Sequence, residues 1–570
     1  MIICGLKLTH DGAVALIEDG QLVFSVEVEK LANNPRYSEV ESSSVITTIL
    51  REFGYQASDV DRWIIDGWDG RHTGYANLTD QGRPVTLNLA PYRETDAVPN
   101  VFEPGREGTF PLAGASLPYS SYVHIAGHIA SAYCTSEFAR RGEPSLVLVW
   151  DGGLFPRLYW VDPEHGVENG GELFPLIGHT YATSAHHFGP FRRANEASTV
   201  DDLSVAGKLM AYIALGKPQQ AILDVLRATF DEHFEAESDN VAAFRSKVGG
   251  FGSTSEPSMS FVHAYFHDVH ERLTGAGFSD EDVLAGIHQF LEDLLIERLV
   301  AKVKAWKGDG PWNLCFVGGC ALNIKWNSAI RRQDIFTDVW VPPFPNDSGS
   351  AIGAAALGLV AETGRPVAIG WNPRLGPALK PTPEVPEGWR TTPCSPEELA
   401  ALLHETGEPV VVLDGRAELG PRALGGRSIL AAAVEPRMKT VLNDVKKREP
   451  YRPVAPICLE EHAPAIFSPG TPDPHMLFDH VVRPEWRDRI PAILHLDDTA
   501  RLQTVGTDDD ETLRRILVAY HELSGIPVLC NTSANLNGSG FFPDVASALA
   551  WGRVDMVWSE NTLYRKVPLA

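Results

Sequence analysis

Ser145–Asp162 reads SLVLVWDGGLFPRLYWVD: an apolar strand, a turn at Asp151-Gly152-Gly153, and a second strand. An acidic, glycine-rich turn at the carboxyl end of a buried strand is where α/β folds gather their ligands. The same device recurs on either side. Residues 2–28 open with a strand, turn at His10-Asp11-Gly12 and continue as a hairpin, AVALIEDGQLVFSVEVE, turning at Asp19-Gly20. NLCFVGGCALN (Asn313–Asn323) is an apolar strand that ends in Gly318-Gly319 and enters a helix. VWVPPFPNDSGSAIGAA ends at Asn346-Asp347-Ser348-Gly349 and enters a helix of small residues.

Glycines in such turns let backbone N–H groups approach a nucleotide phosphate. Asp11, Gly12, Gly152, Gly153, Gly318, Gly319 and Asn323 are therefore the nucleotide-binding candidates. Neither GxxxxGK[ST] nor GxGxxG occurs, which sets aside the P-loop and dinucleotide folds. Strand-end turns repeated within one domain predict a two-lobed α/β fold of the actin–hexokinase type. Residues 200–305 are helical by period, as in DEDVLAGIHQFLEDLLIERLVAKVKAW, and read as an insertion into that domain. Within it, Lys208 in VAGKLMAYIALGKP is a further nucleotide candidate, and a solvated helical lysine is an equally good account of it. Residues 364–394, with Pro366, Pro373, Pro377, Pro381, Pro383, Pro386 and Pro393, form an extended connection. A second α/β domain, 395–570, begins with the helix SPEELAALLHETG and the strand PVVVLDG.

Bulk composition narrows the class. A chain of 570 residues supports about two to four domains. A net charge of −25 argues against a nucleic-acid surface. The 7 cysteines are scattered, without CxxC, and several lie in apolar runs such as PVLCNTS, as reduced buried thiols do. MIICGLKLTHDG is no signal peptide, and GSAIGAAALGLVA is too short to span a bilayer, so no membrane is expected and a cytoplasmic protein is.

Three constellations carry chemistry. His124 and His128 in SYVHIAGHIASAY share one helical face, and the strand-end Asp151 and Asp347 would complete a His₂Asp₂ shell suited to Fe(II), Mn(II) or Zn. Gly127 precedes the second histidine, so the zincin HExxH is absent. His10, beside the first turn, is the candidate general base, with an orienting or structural role as its equal alternative. Against the acidic background, GRAELGPRALGGRSIL (Gly415–Leu430), VKKREPYRPVAP (Val445–Pro456) and NTSAN (Asn531–Asn535) gather cations: Arg422, Arg427, Lys446, Arg448 and Arg452. Lys446, Arg448 and Arg452 with the Ser533/Asn535 loop read as a cradle for phosphate or carboxylate, which arginine engages bidentately, against a solvated charge run as the bland account.

Over nearly its whole length the chain resembles the NodU/CmcH-type O-carbamoyltransferase family. The His-Asp-Gly hairpin, HIAGHIASAY, WDGG, GGCALN and NDSGSAIGAA resemble its YgjD-like, actin–hexokinase-type (ASKHA) domain, here 1–363. ELGPRALGGRSIL, KKREPYRPVAP and PVLCNTSAN resemble its YrdC-like domain, here 395–570. The resemblance implies that carbamoyl phosphate is cleaved and that its carbamate attacks ATP, giving carbamoyladenylate and pyrophosphate. The carbamoyl group then passes to a hydroxyl of a small natural product. It implies Lys446, Arg448, Arg452, Arg501, Ser533 and Asn535 as the carbamoyl phosphate and adenylate site. It also implies an iron-type metal on His124, His128, Asp151 and Asp347, Mg²⁺ with ATP, and His10 serving the acceptor.

The family's usual Glu before Gly-Lys-x-Met is Ala206, and VEVEKLANNPRYSE replaces its acidic-basic stretch. Asn33, Asn34, Tyr37, Trp63 and Trp68 in that region favour a neutral polyketide or ansamycin-type alcohol, with an aminoglycoside or other sugar hydroxyl as the second choice. Three other readings compete. The tRNA threonylcarbamoyl machinery would need a basic surface, whereas an ATP-gated binding protein or a sugar kinase leaves the KKRE and TSAN blocks without a role.

Overall fold

The strand Ser145–Val149 stands at the centre of a five-stranded sheet in the computed structural model. Trp312–Val317 lies parallel beside it and Phe336–Trp340 parallel beyond; Arg157–Asp162 and Gly166–Glu172 run antiparallel on the other side. The three parallel strands point their carboxyl ends the same way, so Asp151, Gly318-Gly319 and the turn before Asp347 gather at one end of the sheet. The described residues are 1–70, 72–96, 98–192, 202–235, 259–382 and 384–567. Pro383 and the parts of the helical reading at 200–201 and 236–258 lie outside them.

Two compact units divide the chain, one of Arg62–Asn77 with Pro84–Ile369, the other of Met1–Asp61, Leu78–Arg83 and Gly370–Ala570. Compactness thus groups the first strands with the C-terminal residues, whereas the sequence groups them with 62–363. Within the first unit, Arg62–Asp66 pairs in parallel with Ala115–Tyr122, and the chain then turns into the helix His124–Cys134, whose eleven residues are all buried. That helix packs against Ser350–Thr363, the helix of small residues. The expected insertion contains the helices Asp202–Tyr212, Gln220–Phe230, Met259–Leu273 and Asp280–Lys307. Asp280–Lys307 starts on the Ser279 cap with Asp280, Glu281 and Asp282 in its first turn, where acidic groups meet the positive end of the helix dipole.

In the second unit Ile2–Lys7, Ala13–Glu18 and Gln21–Glu27 form an antiparallel meander. Its tight turn uses positive φ at Asp19 (48°) and Gly20 (79°), the backbone twist that matches a hairpin. An eight-stranded sheet follows, with Val410–Leu413, Arg427–Ala432, Val528–Ser533, Ala455–Leu459 and Gln503–Val505 adjacent in that order. Helices Pro396–Thr406 and Glu511–Ser524 pack together, and their apolar faces join the strands in one core. Pro396–Thr406 begins with a capping box between Ser395 and Glu398.

Candidate metal centre and cation cradle

In the first unit the strand Ala115–Tyr122 delivers His124 to the first position of its helix, and His128 follows one turn on. Their Nε2 atoms face each other at 3.1 Å. Asp347 Oδ1 is 3.4 Å from both, and Asp151 Oδ2 is 3.7 and 3.9 Å away. One donor atom from each of the four residues falls within 4.8 Å of the others, and all four residues are buried. Ligands about 2.1 Å from a shared ion stand about 3.0–3.4 Å apart, so the donor set fits a divalent cation. The facing nitrogens need a proton or a cation between them, since two lone pairs at that distance repel.

The surrounding groups fix this geometry. Asp66 Oδ2 takes His124 Nδ1 at 2.6 Å, which turns Nε2 toward the centre. Asp151 Oδ1 accepts the Gly319 N–H at 2.7 Å, and Oδ2 accepts the Tyr92 hydroxyl at 2.5 Å. Gly127 is explained by the same packing: a Cβ there would lie 2.8 Å from Asp66 Oδ1. Burial and the neighbouring Asp347 work against the Asp151 carboxylate, yet the two imidazoles beside it carry its pKa well below the usual range. Burial also opposes charge on His128, but Asp151 and Asp347 raise its pKa overall.

The nucleotide candidates sit differently from expectation. The N–H groups of Asp11, Gly12 and Gly318 bond the carbonyls of Tyr37, Ser38 and Pro345, and that of Gly319 bonds Asp151. These four donors are engaged within the fold rather than presented to a phosphate. What the glycines supply is close approach: a Cβ on Gly318, with φ of 96°, would meet the Trp150 carbonyl at 2.4 Å. One on Gly152 would meet the His179 ring. Asn323 Oδ1 caps its own helix, at Lys325 and Trp326. Lys208 is half-buried on Asp202–Tyr212. His10, partly exposed, holds Nδ1 3.2 Å from Asp11 Oδ2.

In the second unit Lys446 ends the helix Arg437–Val445 and is buried. Its Nζ donates to the carbonyls of Ser533 and Asn535, each at 2.8 Å, and to Asn535 Oδ1 at 2.5 Å. Arg448 reaches Thr532 Oγ1 at 3.0 Å and Ser533 Oγ at 3.4 Å, while Ser533 donates to Asn535 at 2.7 Å. Arg452, Arg422 and Arg501 complete the cluster. Burial and mutual repulsion push Arg422 down to about 10 and Arg448 to about 9, and lower Lys446, Arg452 and Arg501 as well. Arg501 Nε is buried with no hydrogen-bond partner among the described residues. Crowded, desolvated cations of this kind are completed by an anion.

Arg427 does not belong with them. Its guanidinium donates to the carbonyls of Asp414, Gly415 and Gly426 at 3.0, 3.1 and 2.9 Å, tying the loop together. The acceptor-facing residues also need correction. Asn33 and Asn34 donate to Ser547 Oγ and the Val28 carbonyl, and Trp63 is buried edge-on to Phe110. Trp68 packs at 5.8 Å on the His124 ring. Asp66 and Tyr92 went unread in the sequence, although Asp66-Gly67 repeats the strand-end Asp-Gly signature.

The chain matches the carbamoyltransferase N-terminus over residues 2–98 and 113–356, and the carbamoyltransferase C-terminus over 400–566. It belongs to the NodU/CmcH-type O-carbamoyltransferase family and is a carbamoyltransferase. Nodulation protein U of Rhizobium tropici is 51% identical over 571 residues, covering 100% of this chain and 97% of the relative. Nodulation protein U of Bradyrhizobium diazoefficiens is 49% identical, covering 99% and 97%. The 3'-hydroxymethylcephem-O-carbamoyltransferase of Streptomyces clavuligerus is 32% identical, covering 100% and 99%. A ROK family glucokinase from Streptomyces griseus aligns at 11% identity with a TM-score of 0.27, over 63% of this chain and 99% of that one. So low a score says nothing of the fold, and the α/β class rests on the sheets described above.

Proposed function

We propose that this carbamoyltransferase is ATP-dependent and works through carbamoyladenylate. Water hydrolyses carbamoyl phosphate to carbamate and phosphate, the carbamate oxygen attacks the α-phosphorus of ATP, and pyrophosphate leaves. A hydroxyl of a small natural product then attacks the carbamoyl carbon and releases AMP. The observation that carries this reading is the cluster of Lys446, Arg448 and Arg452 around Ser533 and Asn535, because both the substrates and the departing groups are phosphate anions. His10, paired with Asp11, is suited to take the proton of the acceptor hydroxyl. His124, His128, Asp151 and Asp347 would hold a divalent metal, of which Fe(II) is our first choice, and Mg²⁺ would accompany ATP. Such a metal supplies Lewis-acid polarisation of an oxygen.

The acceptor is an alcohol, as the name of the cephem relative states of its own substrate. With Asn33, Asn34 and Trp63 engaged in packing, those residues no longer favour an ansamycin alcohol over a sugar hydroxyl, and both belong in the acceptor screen. The deciding experiment is release of phosphate and pyrophosphate from carbamoyl phosphate plus ATP with no acceptor present. Both products are expected, and Ser533→Ala should abolish them. ADP in place of pyrophosphate would mark a kinase, and no turnover by folded, metal-loaded enzyme would overturn the adenylate route.

A further inference from the structure

Residues 33–38 form no helix or extended strand, yet they are fixed on both sides. On one side the N–H groups of Asp11 and Gly12 bond the carbonyls of Tyr37 and Ser38, at 3.3 and 2.8 Å, and the Tyr37 N–H bonds Glu29 Oε2 at 3.2 Å. On the other, the Arg36 N–H bonds the Gly538 carbonyl at 2.9 Å and the Gly540 N–H bonds the Asn34 carbonyl at 3.0 Å. Gly540 permits this approach, since a Cβ there would lie 2.0 Å from the Glu29 carbonyl oxygen. The 538–541 stretch is tied to the cradle in turn: Asn535 Nδ2 donates to the Ser539 carbonyl at 2.8 Å, and Asn535 bridges Phe541. Lys446 grips that same Asn535.

We propose that Arg36 is a sixth cation of the cradle, brought to it by the N-terminal segment, and that it binds the phosphate-bearing end of the substrate together with Arg422, Lys446, Arg448 and Arg452. The inference rests on the anion-cradle reading above. Its support is first the backbone lacing, which holds Arg36 against the 538–540 stretch that Asn535 in turn grips. A second support is electrostatic: Arg36 contributes to the repulsion that lowers each of those four cations. Its own charge survives there because, against the cost of burial, Glu29, Tyr37 and Asp11 raise its pKa. Asp11 belongs to the His10 turn, so Arg36 stands between that turn and the cradle. A guanidinium so placed offers a planar fork to a phosphate oxygen pair.

The competing account is that Arg36 only neutralises Glu29 and Asp11. Calorimetric titration of the full chain with inorganic pyrophosphate separates the two. Arg36→Gln should weaken pyrophosphate binding about tenfold, and Arg452→Gln comparably, as loss of a charge-assisted phosphate contact does. Arg36→Lys, which keeps the charge and loses the fork, should fall between wild type and Arg36→Gln. If Arg452→Gln weakens binding and folded Arg36→Gln does not, Arg36 is structural and the proposal is overturned. Should Arg36→Gln fail to fold, the Lys variant decides: a loss of about threefold or more supports the proposal, and wild-type affinity overturns it. No pyrophosphate binding by the wild type would sink the cradle reading itself and this inference with it.

Discussion

Asp66 is the residue on which the proposed metal centre turns, although it is not one of the four proposed ligands. Its bond to His124 Nδ1 selects the tautomer that turns an unprotonated Nε2 toward the four-residue cluster. Asp66→Ala should therefore weaken divalent-metal binding by about 10–100-fold, read by titration with Fe(II), Mn(II) or Zn(II). Unchanged affinity would mean that helix packing alone orients the imidazole. The four proposed ligands were legible because helical spacing and strand-end position are both properties of sequence. Asp66 ends a strand too, but its strand, RWIID, lies outside the turns that drew attention. Arg427 shows the opposite failure. It shares a motif with Arg422, and nothing in that motif says that its guanidinium faces main-chain carbonyls instead of a ligand.

At the scale of elements, the site depends on two helices touching through glycine. A Cβ on Gly353 would lie 1.9 Å from the Gly127 carbonyl oxygen, so His124–Cys134 and Ser350–Thr363 meet closer than alanine allows. One helix carries both histidines and the other starts just after Asp347. Gly353→Ala should cost about 1–3 kcal/mol, measured by urea unfolding, and should weaken metal binding as the ligands part. The run GSAIGAAALGLVA was legible as a helix of small residues. Its purpose was not, because a glycine's use depends on the neighbour that approaches it. The same limit hid the glycine turns' role: their residues were found, but the carbonyls and carboxylates that occupy their N–H groups come from distant parts of the chain.

For the molecule as a whole, the least legible feature is which distant segments join. Lys30, buried, bonds Glu27 at 2.6 Å and the carbonyls of Glu418 and Gly420 at 2.7 Å each, fastening the first hairpin to the ELGPRALGG loop. No periodicity or spacing announces a lysine that serves backbone oxygens. The thiols, in contrast, read correctly from their apolar surroundings: all 7 cysteines are free and all but Cys320 are buried. Burial raises each of their pKa values, to about 11 for Cys394 and about 12 for Cys134 and Cys315, with Cys4, Cys320, Cys458 and Cys530 raised further. Below the ordinary thiol pKa of about 8.5 the folded and unfolded chains bind these protons alike. Above it the unfolded chain releases them while the folded chain holds them, so the thiols' contribution to folding stability falls as pH rises through the alkaline range. The lowered cations of the cradle, Arg422, Lys446, Arg448, Arg452 and Arg501, work in the opposite sense, so the thiol share is read by difference from a cysteine variant. Urea unfolding at pH 7, 9 and 10 reads the thiol decline as the difference between the wild type and a cysteine variant. Cys530→Val should flatten it by about 1.4 kcal/mol per pH unit above the thiol's ordinary value. A variant with the wild-type slope would show that Cys530 does not contribute its share, and that other groups govern the alkaline loss of stability.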